Sequence, residues 1–118
     1  MYTIIPTDKF NEDVKYYVKK KKFNNIGKDI KKITDELEKG ILVGEAIPNL
    51  NIQTNDHTYK VRAANTDTRV GKSNGYRILY YAIKDNREVY LLTIYYKKED
   101  INIPSNREIE ELVKKYCL

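Results

Sequence analysis

The stretch that decides the fold is GYRILYYAIKDNREVYLLTIYY, residues 75–96. Both of its halves are rich in β-branched and aromatic residues, which favour strands. Between them lies KDNRE, a polar segment of the kind that forms a hairpin loop. The stretch therefore predicts two antiparallel strands joined by a short turn.

A third strand is predicted immediately upstream from TYKVRAA, residues 58–64, which has the same composition. The loop that joins it to the hairpin, NTDTRVGKSNG, is longer than a tight turn. It ends in Asn74-Gly75, a pair that tolerates positive φ. Three consecutive antiparallel strands are therefore expected.

The segment before these strands, ILVGEAIPNLNIQTNDH at residues 41–57, has the composition of a connection. It contains Gly44, Pro48 and several asparagines, which interrupt regular structure. We expect a loop here, with room for one turn of helix.

Helical periodicity appears on both sides of the strand region. After a short strand at YTII, Pro6 and Thr7 predict a stop and a helix cap. The next two segments carry apolar stripes with helical spacing, Phe10, Val14, Tyr17 and Val18 in the first and Ile26, Ile30, Ile33 and Leu37 in the second. Asn24 or Asn25 is the expected cap of the second helix and Gly40 its stop. The two helices form an αα-hairpin.

A last helix is predicted at the C-terminal end of the sequence. Ser105 with Glu108 three residues later forms a capping box. The apolar face that follows consists of Ile109, Leu112, Val113 and Tyr116. The full order of strand, helix, helix, three strands and helix predicts an α+β fold in a single domain, residues 1–118, with the helical hairpin on one face of a largely antiparallel sheet. The other face is expected to stay partly open.

The charge of the chain is concentrated in its middle. In total there are 22 Lys and Arg against 17 Asp and Glu, a formal charge of +5. Residues 56–98 contain 9 basic and 4 acidic groups, an excess of five, while the two flanking regions nearly cancel. A local basic field of this kind points to a polyanionic partner.

Cysteine and histidine are scarce, with one of each at Cys117 and His57. An internal disulfide is impossible, and a thiolate or imidazole metal site is not expected, so we predict no metal and no cofactor. We expect no signal peptide, because the start MYTIIPTDKF lacks a basic region followed by an apolar core, and no membrane span, because no apolar run approaches the ~20 residues that one requires. The predicted location is the cytoplasm, without a membrane partner.

Basic residues of the strand region are the candidates for a functional site. Lys60 and Arg62 lie two apart and share one face of a strand, and Arg77 begins the next strand. Each has an ordinary structural explanation, since charges protect edge strands and often occupy strand ends. Together with Lys72, Lys97 and Lys98, however, they would neutralise several phosphates beside tyrosine rings, as single-stranded nucleic acid requires.

Two other features carry less weight. The lysine run at residues 19–22 is typical of a solvated helix end. His57 is a candidate base, but it lies three positions before Lys60 and should therefore face the opposite side of the strand.

Several motifs in order resemble those of a known family. They are LEKGILVGEAIPNL, YKVRAA, GKSNGYRILYY and VYLLTIYYKKED, preceded by two helices. Each motif is short, but the series spans nearly the whole chain. It resembles the RelE/ParE superfamily of toxins, and within it most of all the HigB branch.

The resemblance implies a small basic toxin that is silenced by a co-expressed antitoxin, a helix-turn-helix DNA-binding protein. Such a toxin is a metal-free endoribonuclease that cuts mRNA in the ribosomal A site. The ribose 2′-OH attacks the adjacent phosphate while basic side chains stabilise the added charge and assist proton transfer.

Carried over to this chain, the family pattern makes Lys60, Arg62 and Arg77 the catalytic residues. Lys60 and Arg62 match the Y-K-x-[KR] strand and Arg77 matches the G-x-R strand. A lysine crowded by cations loses its proton more readily, which makes Lys60 the candidate base and leaves Arg77 as a bidentate phosphate clamp. The implied RNA-binding residues are Lys72, Tyr96, Lys97 and Lys98, with Tyr95 or Tyr96 substituting for a later stacking tyrosine that EDINIPSN lacks.

Two alternative functions stay open at this point. One is a ParE-like inhibitor of DNA gyrase, which has the same fold but no chemical need for the cationic set. The other is a non-catalytic RNA or ribosome-binding module that uses the same residues as phosphate contacts.

Overall fold

The computed structural model describes residues 1–99 and 103–118. Within them the chain forms strands β1 Thr3–Pro6, β2 Glu45–Ala46, β3 His57–Ala63, β4 Tyr76–Ile83 and β5 Glu88–Tyr96, and helices α1 Asp8–Lys19, α2 Ile26–Glu38 and α3 Asn106–Cys117. The strands form one sheet in the order β1-β5-β4-β3-β2. Only the β1–β5 pair among these is parallel. The predicted α+β class is therefore confirmed.

Local sequence signals account for the helix ends, with one exception. The Thr7 side chain accepts a hydrogen bond from the Phe10 amide at 3.2 Å, and Ser105 forms the predicted capping box. Asn25 is the N-cap of α2, but its side chain makes no capping bond. The side-chain amide of Asn25 donates instead to the Asp67 carboxylate at 3.2 Å, and this bond connects the start of α2 to the turn after β3.

The helical hairpin covers one face of the sheet, as its apolar stripes predict. Phe10 and Tyr17 of α1 and Ile26, Ile33 and Leu37 of α2 are buried there. They pack against alternate residues of the central strands, including Val61, Ile78, Tyr80 and Ile94. Burying a large apolar side chain contributes about 1.5–3 kcal/mol, so this layer provides much of the stability.

The opposite face is more fully covered than the sequence predicts. Helix α3 buries Ile109 and Val113 against a second cluster that contains Leu79, Tyr81, Leu92 and Tyr95. Ile47, Leu50 and Ile52, from the segment before β3, pack on the same cluster. A cleft lies at the end of this face near the start of β4 and extends past β3 to α2.

The segment at residues 41–56 differs from the prediction. Every residue in it is described, and it contains no helical turn but the two-residue strand β2. Glu45 pairs with Lys60 and Ala46 with Tyr59. A strand of two residues is too short to produce a periodic signal in the sequence.

Polar side chains of α1 protect the open edge of β5. Strand β1 pairs with β5 only as far as Leu91. Beyond that point the Asp13 carboxylate accepts the Ile94 amide at 3.2 Å and the Thr93 hydroxyl, and the Tyr17 hydroxyl accepts the Tyr96 amide at 2.8 Å. An unpaired strand edge is a template for aggregation. These contacts occupy backbone amides of the β5 edge, so that the amides are not free to pair with another chain.

We expect Asp13→Ala to lower the free energy of unfolding by about 1–3 kcal/mol, because the Ile94 amide loses its acceptor in a partly buried position. Urea denaturation followed by circular dichroism measures the change. Glu12→Ala is the matched control, since Glu12 is exposed on the same helix. A loss for Asp13→Ala no greater than for the control would show that the edge contact contributes nothing to stability.

Candidate nucleic-acid cleft

A cleft of about 980 Å³ opens along the uncovered edge of β3. It begins where the cover of that edge ends, since β2 pairs with Tyr59 and Lys60 and the Ile47 amide donates to the Thr58 carbonyl oxygen at 2.8 Å. Gly44 makes the close crossing before β2 possible. A Cβ on Gly44 would lie 2.4 Å from the Lys60 carbonyl oxygen, and its φ is +95°. A side chain at this position is therefore excluded by both space and conformation.

The wall of the cleft is predominantly cationic. Six basic residues line it, namely Lys32, Lys60, Arg62, Lys72, Arg77 and Lys97. Three acidic residues, Asp29, Glu36 and Glu45, line it too, which leaves an excess of three positive charges. The Asp29 carboxylate is engaged, because it accepts hydrogen bonds from the Thr66 amide and hydroxyl at 3.0 and 3.1 Å.

Strand parity places Lys60 and Arg62 in the cleft. They are exposed, while the intervening Val61 and the following Ala63 are buried in the core beneath α2. His57 has the opposite parity, as predicted, and its ring contacts Tyr59 edge-on. The structure thus brings Lys60 and Arg62 together and separates His57 from them.

The cations of the cleft are not neutralised by the protein itself. Arg62 lies directly opposite Arg77 in the β3–β4 register, a like-charge pairing that is unfavourable in a sheet. Burial and then the Arg62 charge lower the pKa of Arg77. Among the described residues, Lys60, Arg62, Lys72, Arg77 and Lys97 form no ion pair with an acidic group within 4.0 Å. Such a surface is complementary to an anionic ligand.

Arg77 lines the cleft but is not a free side chain. It is only 5% exposed, and its guanidinium donates to the carbonyl oxygens of Lys72, Ser73 and Tyr76 at 2.9, 2.9 and 3.1 Å. These contacts conflict with the role of bidentate phosphate clamp that the family resemblance implies for Arg77. Both terminal nitrogens, which a bidentate clamp would use, already bind the backbone.

The predicted RNA-binding residues separate into two groups. Lys72 and Lys97 line the cleft, whereas Lys98 is exposed outside it. Tyr96 is 4% exposed and packs on Phe23 and Tyr76 in the core, so the interpretation of Tyr96 as a base-stacking residue does not fit the structure.

Tyr95, which is itself only 5% exposed, lines the cleft whereas Tyr96 does not, and a β-bulge is the reason. Val89 and Leu91 face the core, but the register shifts so that Leu79 pairs with Thr93 and Tyr80 with Leu91. The extra residue in β5 reverses which of the following side chains face the core, because each added residue turns the side chains after it to the other face of the sheet. Burial raises the pKa of Tyr95 and the nearby Arg77 charge opposes that shift.

Glu45 is a cleft residue that the sequence did not reveal. It lies directly opposite Lys60 in the β2–β3 pair, and directly opposed residues project from the same face. Cβ atoms in such pairs are about 5 Å apart. A carboxylate beside the cations gives the cleft a group that can accept a proton. The signal for it, a strand of two residues after Gly44, is too weak to recognise in advance.

Within the part of the chain that the structure describes, no group of three or more His, Cys, Asp and Glu is arranged to hold a metal ion. No helix there is long and apolar enough to cross a membrane. Residues 100–102, which belong to the stretch where the family's further stacking tyrosine is expected, lie outside the described residues.

A basic α+β domain with a predominantly cationic cleft is thus the class that fold and site define. Comparison with protein-family models gives no match, and comparison with curated proteins gives none. Among solved structures, the chain is similar to the isolated RelE toxin of E. coli, with 17% identity, 98% of each chain covered and a TM-score of 0.49.

Proposed function

We propose that this chain is the toxin of a type II toxin-antitoxin pair, of the HigB kind, and that it cuts mRNA on the ribosome. The observation that carries the proposal is the cleft, where Lys60, Arg62, Lys72 and Lys97 form no ion pair within 4.0 Å among the described residues. An RNA strand supplies the missing negative charges through its phosphates. The motif series in the sequence supports the same function.

In the proposed reaction the ribose O2′ forms a bond to the adjacent phosphorus and the bond from phosphorus to O5′ breaks. The proton of the 2′-OH must be accepted and the leaving O5′ must receive one. Lys60 and Arg62 lie where they would stabilise the charge that builds up on the phosphoryl oxygens. The ammonium group of Lys60 or Lys72 would donate the proton to O5′.

We assign the role of proton acceptor to Glu45 in preference to Lys60. A carboxylate is ordinarily ionised near neutral pH, whereas a lysine must first lose its own proton. Glu45 lies opposite Lys60 on the same face, so one site contains both an acceptor and a cation. This assignment leaves Lys60 free to act as a cation.

We expect Glu45→Gln to lower the single-turnover rate of mRNA cleavage by about 100-fold, a typical contribution of a general base. Binding to ribosomes should change little, because the amide keeps the shape of the carboxylate. Glu36→Gln is the control, since Glu36 lines the same cleft but belongs to α2. Equal rate losses in both variants would show that the effect is one of overall charge and would remove Glu45 from the reaction.

The proposed function is tested by adding the purified chain to translating ribosomes on a defined mRNA and mapping the RNA ends by primer extension. Cleavage at codons in the A site supports the proposal. Inhibition of gyrase supercoiling with intact mRNA would instead assign the ParE-like function. Ribosome binding without cleavage would assign the non-catalytic module.

The proposal includes a partner and a location. The proposed ribonuclease activity must be inhibited during growth, which requires a protein complementary to the basic cleft. We propose that this protein is a helix-turn-helix antitoxin and that both proteins act in the cytoplasm. Co-expression of the protein encoded by the adjacent reading frame should restore growth. Continued growth arrest in the presence of the stable adjacent protein would contradict this pairing.

A further inference from the structure

The loop at residues 71–75 carries Lys72 to the wall of the cleft, although little of its own surface is buried. Gly71, Lys72, Ser73 and Asn74 are all exposed. Only Gly75 is buried, at the junction with β4. Apolar burial therefore does not hold this loop, and its position depends on hydrogen bonds to its backbone.

Besides the bond from the Lys97 amide to the Gly75 carbonyl oxygen at 3.0 Å, those hydrogen bonds come from two cationic side chains, Arg77 and Lys97. Arg77 donates to the carbonyl oxygens of Lys72 and Ser73, each at 2.9 Å. Lys97 Nζ donates to the same Ser73 oxygen at 3.3 Å. A carbonyl oxygen has two lone pairs, and at Ser73 both are therefore used. Charged donors make the stronger class of hydrogen bond, which suits an exposed loop.

The structure assigns Arg77 the role of a positioning residue that holds the loop, and with it the ammonium group of Lys72, against the cleft. The phosphate contacts then belong to Lys60, Arg62 and Lys72 and not to Arg77. The effect of Arg77 on the rate of mRNA cleavage, as part of this inference, rests on the proposed ribonuclease function. The positioning role replaces the role of phosphate clamp that the sequence motif implies for Arg77.

An arginine is required for this role because of its donor geometry. Its planar fork reaches two neighbouring carbonyl oxygens at once, while a lysine offers a single nitrogen. The side chain is also nearly buried, so the three carbonyl contacts stay shielded from water. A phosphate that paired end-on with both terminal nitrogens would have to displace the Lys72 or the Tyr76 carbonyl group from Nη1, which donates both of its hydrogens to them.

A double-mutant cycle tests whether Arg77 acts through Lys72. We expect Lys72→Gln and Arg77→Gln each to lower the single-turnover cleavage rate by about tenfold, the value of one charged hydrogen bond. If Arg77 only positions Lys72, the double variant should also be about tenfold slower, because the second change removes nothing further. A double variant about 100-fold slower would show independent contacts and would overturn the inference. Arg107→Gln, on the exposed side of α3, is the control for a lost arginine.

A second measurement does not depend on any catalytic activity. Trypsin cleaves after Lys72 only when the loop opens, so the cleavage rate reports the open population. Arg77→Gln and the conservative Arg77→Lys should both raise the rate of cleavage after Lys72 by at least about tenfold, since charged hydrogen bonds are lost. Cleavage after Lys84, in the β4–β5 loop, is the internal control and should not change. An unchanged rate at Lys72 in the folded variants would overturn the inference.

The two measurements separate the inference from the function on which it rests. If the wild-type chain cleaves no mRNA, the proposed function fails and the trypsin assay alone decides the role of Arg77. If the wild type cleaves and the cycle is additive, the function stands and the inference fails. Melting curves of each variant exclude global unfolding as the cause of faster proteolysis.

Discussion

Replacing Lys60 by alanine is expected to lower the single-turnover rate of mRNA cleavage by about 100 to 1,000-fold, the usual cost of removing one donor that stabilises a transition-state charge. The side chain is exposed and, among the described residues, has no acidic partner within 4.0 Å. Its removal should therefore leave the fold unchanged. Rapid-quench cleavage on stalled ribosomes measures the rate, and thermal melting checks the fold.

Lys84→Ala is the matched control for Lys60→Ala. Lys84 is also exposed, but it lies in the β4–β5 loop at the opposite end of the sheet. It should keep wild-type activity. If Lys60→Ala also keeps wild-type activity, Lys60 is a solvated strand residue without a role in cleavage. If ribosome affinity falls in proportion to the rate, Lys60 contributes a binding contact and not a catalytic one.

Gly75→Ala is expected to be the most destabilising single-methyl change in the loop before β4. A Cβ at Gly75 would lie 2.2 Å from the Ala63 carbonyl oxygen and 2.9 Å from that of Gly71. Both obstacles are backbone atoms, so relief requires movement of β3 or of the loop. We expect the free energy of unfolding to fall by about 3 kcal/mol, the upper end for overpacking. The melting temperature should then fall by ~10 °C.

Gly71→Ala provides the control in the same loop. A Cβ at Gly71 meets no atom within 4 Å, and its φ is not in the left-handed region. We expect a change within about 0.5 kcal/mol, as for ordinary surface substitutions. Equal melting temperatures for the two alanine variants would show that the loop adjusts without cost and that Gly75 is replaceable.

Periodic signals in the sequence predicted most of the fold. The stripes of α1 and α2 pack into the core as expected, and the hairpin of β4 and β5 forms around the polar loop. In α3, Ile109, Leu112 and Val113 pack on the second cluster, but Tyr116 is half-buried and lies outside it. These predictions succeed because a helix or strand must bury one face, so the spacing of its apolar residues follows from local geometry. Lys60 and Arg62 could be predicted for the same reason, since strand parity alone puts them on one face.

The sequence by itself therefore determined the order of all the elements except β2, the helix caps at Thr7 and Ser105, and the shared face of Lys60 and Arg62. Only the tertiary structure decided which tyrosine of β5 enters the cleft, because the bulge that inverts the alternation depends on pairing with β4. It also decided that Glu45 faces Lys60, through a strand pair of two residues. It decided as well that Arg77 binds the carbonyl groups of Lys72 and Ser73. Each of these facts depends on partners that the folded chain brings together, and the local pattern of residues does not predict which partners these are.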